Sequence, residues 1–331
     1  MADKRERLAR TLAGEATDRP PVSVWRPFPG DDQRSADFAA SVIDFQQRYD
    51  WDFVNVYPSP NFMVVDYGMQ DEWQGASDGT RTILKRPVRR SLDWTELRAL
   101  DPYRGELGKQ LMALKLVQDA MAPQGVPVIQ TVYSPLSQAG RIAGHELLLR
   151  HLRRNPDRLS TGLNLISEST MRFVEALRQM NVAGIYYVID YADYTLLSEP
   201  EYQMFGLAHD LKVLSMLASA WWLNVVYLKG SAPMFRLIDH LPPLAINWQD
   251  QIAEPNMADG KLMLKSAACG GLDAQTHLLT GTPSIIRDVT RAMIKQMNQR
   301  RLILSAGGPL LATTPHSNLR AVREAVDSAV V

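Results

Sequence analysis

Ile185–Leu228 reads IYYVIDYADYTLLSEPEYQMFGLAHDLKVLSMLASAWWLNVVYL. It opens on a short apolar, β-branched and aromatic run, Ile185–Ile189, bounded by Asp190. Such a run has the length and composition of a strand buried on both faces. A stretch of helical period follows over Glu199–Ala220, and the segment closes on a second run, Val225–Leu228. The longest apolar run of the chain, Val213–Leu228, lies inside this segment. It is shorter than the roughly 20 residues that cross a bilayer. Its β-branched residues cluster at the far end, so it reads as a helix end running into a strand. Strand, helix and strand in this order make a parallel βαβ unit with a right-handed crossover.

Working outward, the same alternation recurs along the whole chain. Apolar runs lie at Val22–Arg26, Phe53–Tyr57, Val126–Val132, Ile185–Ile189, Val225–Leu228, Ala245–Trp248, Ala267–Gly270 and Leu302–Ser305. Amphipathic stretches lie between or after them, among them Ala36–Tyr49, Pro156–Met180, Pro283–Gln299 and Ser317–Val330. Eight parallel strands close into a (β/α)8 TIM barrel. An open doubly wound sheet is the alternative, but no glycine-rich nucleotide loop follows the first strand. One domain over residues 1–331 is expected, interrupted after the second strand by a hairpin insertion over about residues 70–92. There an Asp78-Gly79 turn separates two short extended runs. The insertion carries Arg81, Lys85, Arg86, Arg89 and Arg90, either as a solvated face or as an attraction for an anion.

The 331 residues hold 36 Lys+Arg against 36 Asp+Glu, 46% hydrophobic residues and a single cysteine, Cys269. Zero net charge argues against a nucleic-acid binder. One cysteine excludes a disulfide framework or a multi-cysteine metal site and fits a reducing compartment. The charged opening MADKRERLARTLAGE has no apolar core of a secretory signal. A cytoplasmic protein is therefore expected, with no membrane and no nucleic acid among its partners.

In a (β/α)8 barrel the chemistry sits at the C-terminal ends of the strands. Read there, the sequence offers Lys229, Asp190, Tyr57 and Asp250 as candidate catalytic groups. Arg26, Asp31, Tyr133, Gln138, Arg141 and Gln249 are candidate substrate-binding groups. Arginine grips a carboxylate with a planar fork and lysine with a point charge, while burial can tune carboxyl and phenol groups for proton transfer. The competing reading of each is a salt bridge or cap that closes the barrel top. The six histidines all fall in helical stretches. No nucleophile elbow, P-loop or HExxH motif occurs, and neither a metal nor another cofactor is expected.

The segments Leu8–Glu15 with Asp18–Val22, Gly270–Asp273 followed by Leu278–Pro283, Leu197–Tyr202, and Leu304–Gly308 with Thr313–Pro315 and Asn318–Ala321 are similar, in order and spacing, to the uroporphyrinogen decarboxylase superfamily. This resemblance runs from end to end. It implies a (β/α)8 barrel and often a homodimer, with a heterologous subunit as a further option. It also implies one of two chemistries. Decarboxylases are cofactor-free and grip substrate carboxylates with arginines. Corrinoid- and thiol-dependent methyltransferases hold zinc with His-x-Cys after strand five and a Cys after strand eight.

The chain departs from both branches. The His-x-Cys-Gly position reads Tyr227-Leu228-Lys229-Gly230, and the strand-eight ligand falls on Gly308. Of the decarboxylase arginine pair only Arg26 is matched; the pyrrole-binding aspartate has no counterpart near Asn55–Tyr57, and the family tyrosine falls on Arg141. A metal-free lyase acting on an anionic polycarboxylate or tetrapyrrole-like molecule ranks first, because it needs no ligand the chain lacks. A methyltransferase with a relocated or lost zinc site is the second reading, and a non-catalytic paralogue that binds a ligand or a homologous subunit is the third.

Overall fold

Seven of the eight expected runs form one curled parallel sheet in the computed structural model, which describes residues 2–329. In chain order the strands are β1 (Val54–Val56), β2 (Gln70–Glu72), β3 (Thr82–Lys85), β4 (Val128–Tyr133), β5 (Gly184–Ile189), β6 (Val225–Leu228), β7 (Ala245–Trp248), β8 (Ala268–Leu272) and β9 (Leu302–Ala306). The sheet order is β1-β4-β5-β6-β7-β8-β9, with every neighbouring pair parallel. Strands β4 to β9 are buried along their whole length, because helices cover one face and the barrel interior the other.

The eighth run, Val22–Arg26, is a correction to the sequence reading: it is extended but makes only a single parallel bridge, Val22 to Leu304. It still lies in the gap between β9 and β1. On one side the Leu304 N–H donates to the Pro21 carbonyl (2.8 Å) and the Ser23 N–H to the Leu304 carbonyl (3.1 Å). On the other the Asp52 N–H donates to the Val22 carbonyl (2.9 Å) and Ser23 Oγ to the Phe53 carbonyl (2.8 Å). Pro20, Pro21, Pro27 and Pro29 flank the run. Lacking N–H groups, they cannot extend a ladder, so the barrel closes here through a few bonds.

The insertion is a hairpin, β2 antiparallel to β3, with Asp71 opposite Ile83 and Glu72 opposite Thr82. Asp78-Gly79 is not a two-residue hairpin loop. It belongs to a longer connection, residues 73–81, in which the Gly79 N–H returns to the Ala76 carbonyl (3.1 Å). The loop reaches across the barrel mouth, where the Ala312 N–H donates to the Ser77 carbonyl (2.6 Å).

Three helices differ from their expected bounds. Glu199–Ala220 is Glu199–Tyr202, a π-helical turn Gln203–Leu207, and Ala208–Leu214. The remaining residues carry the chain down to β6, where the Leu223 N–H bonds the Ala183 carbonyl (3.0 Å). Pro283–Gln296 stops short because Asn298 and Gln299 take positive φ. The last helix is His316–Asp327, and Val330 lies outside the described residues. No helix among the described residues is long and apolar enough to cross a membrane.

Alternation along β5 sorts its tyrosines. Tyr186 points into the barrel and donates to Asn247 Oδ1 (2.7 Å), whereas Tyr187 points out and donates to Asp210 (2.8 Å). Asp210 is fully buried, also receives the Tyr202 hydroxyl, and burial pushes its carboxyl up to about 7 from 3.8. A carboxyl with a raised folded-state pKa contributes stability that is complete below its unfolded pKa and is lost as pH rises through the folded value. That window runs from about pH 4 to about pH 7. D210N should therefore gain stability relative to wild type as pH is raised from 5 to 8. Thermal unfolding at both pH values checks this, and a constant difference would refute it.

Candidate active site

A cavity of about 970 Å³ opens where the strands end at their C-terminal side. Its centre is built from the ends of three adjacent strands. Ser134, directly after β4, caps the helix Pro135–Ala143 by accepting the Ser137 N–H, and that helix carries Arg141 over the cavity. Arg141 Nη2 donates to Asp190 Oδ2 (2.7 Å) at the end of β5, and its guanidinium lies 4.2 Å from the Tyr133 ring centroid. Lys229, at the end of β6, places Nζ 3.9 Å from Asp190 Oδ1. Ser137 Oγ accepts the Asp190 N–H (2.8 Å), which fixes the backbone beneath the carboxylate. The helix comes this close because residue 140 is glycine: a Cβ there would stand 2.2 Å from the Tyr191 hydroxyl.

Tyr57 and Tyr133 meet in the same cavity, with the Tyr133 hydroxyl donating to the Tyr57 hydroxyl (3.4 Å). Burial raises both phenol pKa values, for Tyr57 well above 10. Both stay protonated at neutral pH and act as donors or acids rather than bases. Gln249 also lines the cavity. The structure thus brings together Tyr57, Tyr133, Arg141, Asp190, Lys229 and Gln249 of the expected set.

The other four lie elsewhere. Arg26 and Asp31 line a separate surface cleft with Arg48 and His316. Arg26 points there because its Nη1 is held by the Ala312 carbonyl and its guanidinium packs 4.9 Å from the Phe28 ring centroid, while Asp31 accepts from Ser41 Oγ (2.6 Å). Gln138 is spent inside the protein, donating to the Tyr133 carbonyl (2.8 Å) and Thr170 Oγ1 (2.7 Å). Asp250 sits behind the cavity wall, where it accepts the Gly271 N–H (3.1 Å) and Gln251 Nε2 (2.6 Å) and burial pushes its carboxyl up to about 6. It pins β7 to β8.

Among further residues that line the cavity are Tyr227 and His145, which had not been named as candidates, and Arg86, one of the hairpin cations read as a possible attraction for an anion. Tyr227 was legible in principle, since it precedes Lys229 by two positions on an alternating strand and so shares its face. Its ring stacks on Tyr186, with centroids 5.8 Å apart. Arg86 arrives from the hairpin and donates to the Arg141 carbonyl, a meeting only the folded chain creates. Arg81 also lines the cavity but is committed to Asp71 (3.1 Å) and Asp32 (3.3 Å). Lys85, Arg89 and Arg90 are exposed. The basic hairpin therefore divides into a buried latch, one cavity cation and a solvated face.

The positions that correspond to zinc ligands in the methyltransferase branch do converge: a Cβ at Gly308 would lie 2.6 Å from the Tyr227 hydroxyl. What they present is a phenol, a lysine and no side chain. This donor set does not fit zinc, and the described residues contain no group of three His, Cys, Asp or Glu arranged to hold a metal.

The family model described as uroporphyrinogen decarboxylase (URO-D) matches residues 32–329. The chain belongs to the uroporphyrinogen decarboxylase family. Curated proteins yield no match. Among solved structures, this family member is similar to a methyltransferase from Methanosarcina mazei, with a TM-score of 0.85 at 17% identity and 99% of each chain covered. It is also similar to a B12-independent methionine synthase from Shewanella sp. W3-18-1 solved in complex with selenomethionine. There the TM-score is 0.60 at 11% identity, over 94% of this chain and 97% of the other. At these identities the likeness is one of fold.

Proposed function

We propose that this member of the uroporphyrinogen decarboxylase family binds a multiply carboxylated small molecule at the barrel mouth and removes one carboxyl group as a metal-free lyase. The observation that carries the reading is the Arg141–Asp190–Lys229 constellation facing the cavity beside protonated Tyr57 and Tyr133. Lys229 and Arg86 have no hydrogen-bonded carboxylate among the described residues and are free to hold substrate carboxylates. In the bond-breaking step the C–C bond to the departing carboxylate cleaves and CO2 leaves. The electron pair stays on the substrate carbon, and a phenol O–H delivers the proton that replaces it. Water then reprotonates the phenolate. The Lys229 ammonium at the cavity wall, near the developing charge, lowers its energy.

Anaerobic incubation with uroporphyrinogen, read as coproporphyrin after oxidation, tests the strictest form of this reading. Conversion supports it, and binding without conversion favours a non-catalytic ligand binder. Methyl transfer is the second reading, supported by the end-to-end likeness to the Methanosarcina methyltransferase. Elemental mass spectrometry of untagged protein after zinc titration separates the two. The Tyr227, Lys229 and Gly308 set predicts no stoichiometric zinc. One zinc per chain would move methyl transfer to first place.

A further inference from the structure

We propose that the surface cleft lined by Arg26, Arg48 and His316 is a second anion site, built for a phosphate group and separate from the barrel mouth. The cleft has a volume of about 390 Å³ and lies where residues 26–31 meet the helices Ser35–Tyr49 and His316–Asp327. The Arg26 guanidinium is held in place there. Its Nη1 donates to the Ala312 carbonyl, and the Phe28 and Phe45 ring centroids lie 4.9 and 5.4 Å away. Nη2 makes no hydrogen bond among the described residues and, unlike the sealed Nε, keeps surface open to the cleft, so a ligand can reach it. Arg48 pairs with Asp44 at 3.1 Å, whereas Arg26 and Arg320 form no salt bridge among the described residues.

Tyr49 orients the imidazole of His316, because its hydroxyl is bonded to Nδ1. Burial raises the phenol pKa, so the phenol keeps its proton and donates it, which leaves Nε2 as the N–H of a neutral ring. Burial and the charges of Arg48, Arg26 and Arg320 hold His316 below its usual 6.5, with Asp44 opposing them. Three guanidinium charges thus act at one point. The carboxylates that line the cleft are already engaged, Asp31 by Ser41 Oγ (2.6 Å) and Asp44 by Arg48. The donors belong to three separate segments of chain and approach from different directions. A tetrahedral phosphate has oxygens to meet them all, whereas one guanidinium fork satisfies the two oxygens of a planar carboxylate.

The test is an NMR titration of the His316 imidazole in the whole protein, with H316Q identifying its signal. Inorganic phosphate should move the His316 titration midpoint to higher pH, since a nearby anion favours the imidazolium. Sodium chloride at equal ionic strength should not. R26Q should weaken phosphate binding about tenfold, the contribution of one charge-assisted contact. R320Q, an exposed position, should weaken it about two- to fivefold. Circular dichroism shows that each variant is folded. Phenyl phosphate binding more tightly than inorganic phosphate would assign a phosphate monoester, and equal affinity free phosphate. A His316 signal that ignores phosphate, or follows chloride equally, overturns the proposal. So does a response that is lost in K229M at the barrel mouth but survives in folded R26Q and R320Q.

Discussion

Replacing Asp52 by alanine is expected to lower the unfolding free energy by about 3–5 kcal/mol, the cost of leaving buried cations without their partner. The Asp52 side chain is fully buried. It accepts the Val22 N–H at 2.7 Å, Arg7 Nη1 at 2.7 Å, and Arg19 Nη1 and Nη2 at 2.7 and 3.2 Å, with Arg323 Nη1 3.8 Å away. These residues come from the helix Lys4–Ala13, the Pro20-Pro21 approach to the barrel and the helix His316–Asp327. One carboxylate thus ties both ends of the chain to the segment that closes the barrel. Arg7 retains a bidentate pair with Asp18, at 2.9 Å for each bond, so it will not be wholly unpaired in the variant. Arg19 and the Val22 N–H will lose their main acceptor.

Urea unfolding followed by far-UV circular dichroism measures the loss. D119A is the control, because among the described residues Asp119 pairs only with Lys115 and both side chains are at least 60% exposed. Removing it should cost about 0.5 kcal/mol or less. Equal losses in the two variants would show that Asp52 is not the clasp the geometry makes it.

The second large effect is expected at Lys229. K229M should weaken citrate binding by about tenfold or more, the contribution of one charge-assisted contact. Its side chain is exposed to the cavity, and among the described residues Asp190, at 3.9 Å, is the one carboxylate within 4 Å of it. Its charge is therefore available to a ligand. Because the site is open to solvent, added salt should weaken wild-type binding more steeply than binding by the variant. K229R keeps the charge and should retain most of the affinity. If K229M bound citrate as wild type does, the place given to Lys229 in the proposed site would be lost, while the fold and the Asp52 clasp would stand.

The sequence by itself determined the barrel. Alternating apolar runs and helical stretches leave few ways to bury both faces of parallel strands, and the runs at Ile185, Val225, Ala245 and Leu302 became strands within a residue or so of where they were read. Strand-end position also located Tyr57, Tyr133, Asp190 and Lys229, because a residue at the C-terminal end of an inward-facing run has little choice but the barrel mouth.

What the sequence could not settle was direction and commitment. Arg26 follows a strand-like run as Lys229 does, yet the Ala312 carbonyl and Phe28 draw it into another cleft. Gln138 and Asp250 are polar residues near strand ends, and backbone and neighbouring side chains take up the Gln138 amide N–H groups and the Asp250 carboxylate. Arg86 enters the cavity only because a hairpin folds back across the mouth, bringing residue 86 onto the carbonyl of residue 141. Local pattern fixes which face of an element a side chain leaves from. Which partner holds it there is decided by contacts distant in the chain, and only the tertiary structure contains those.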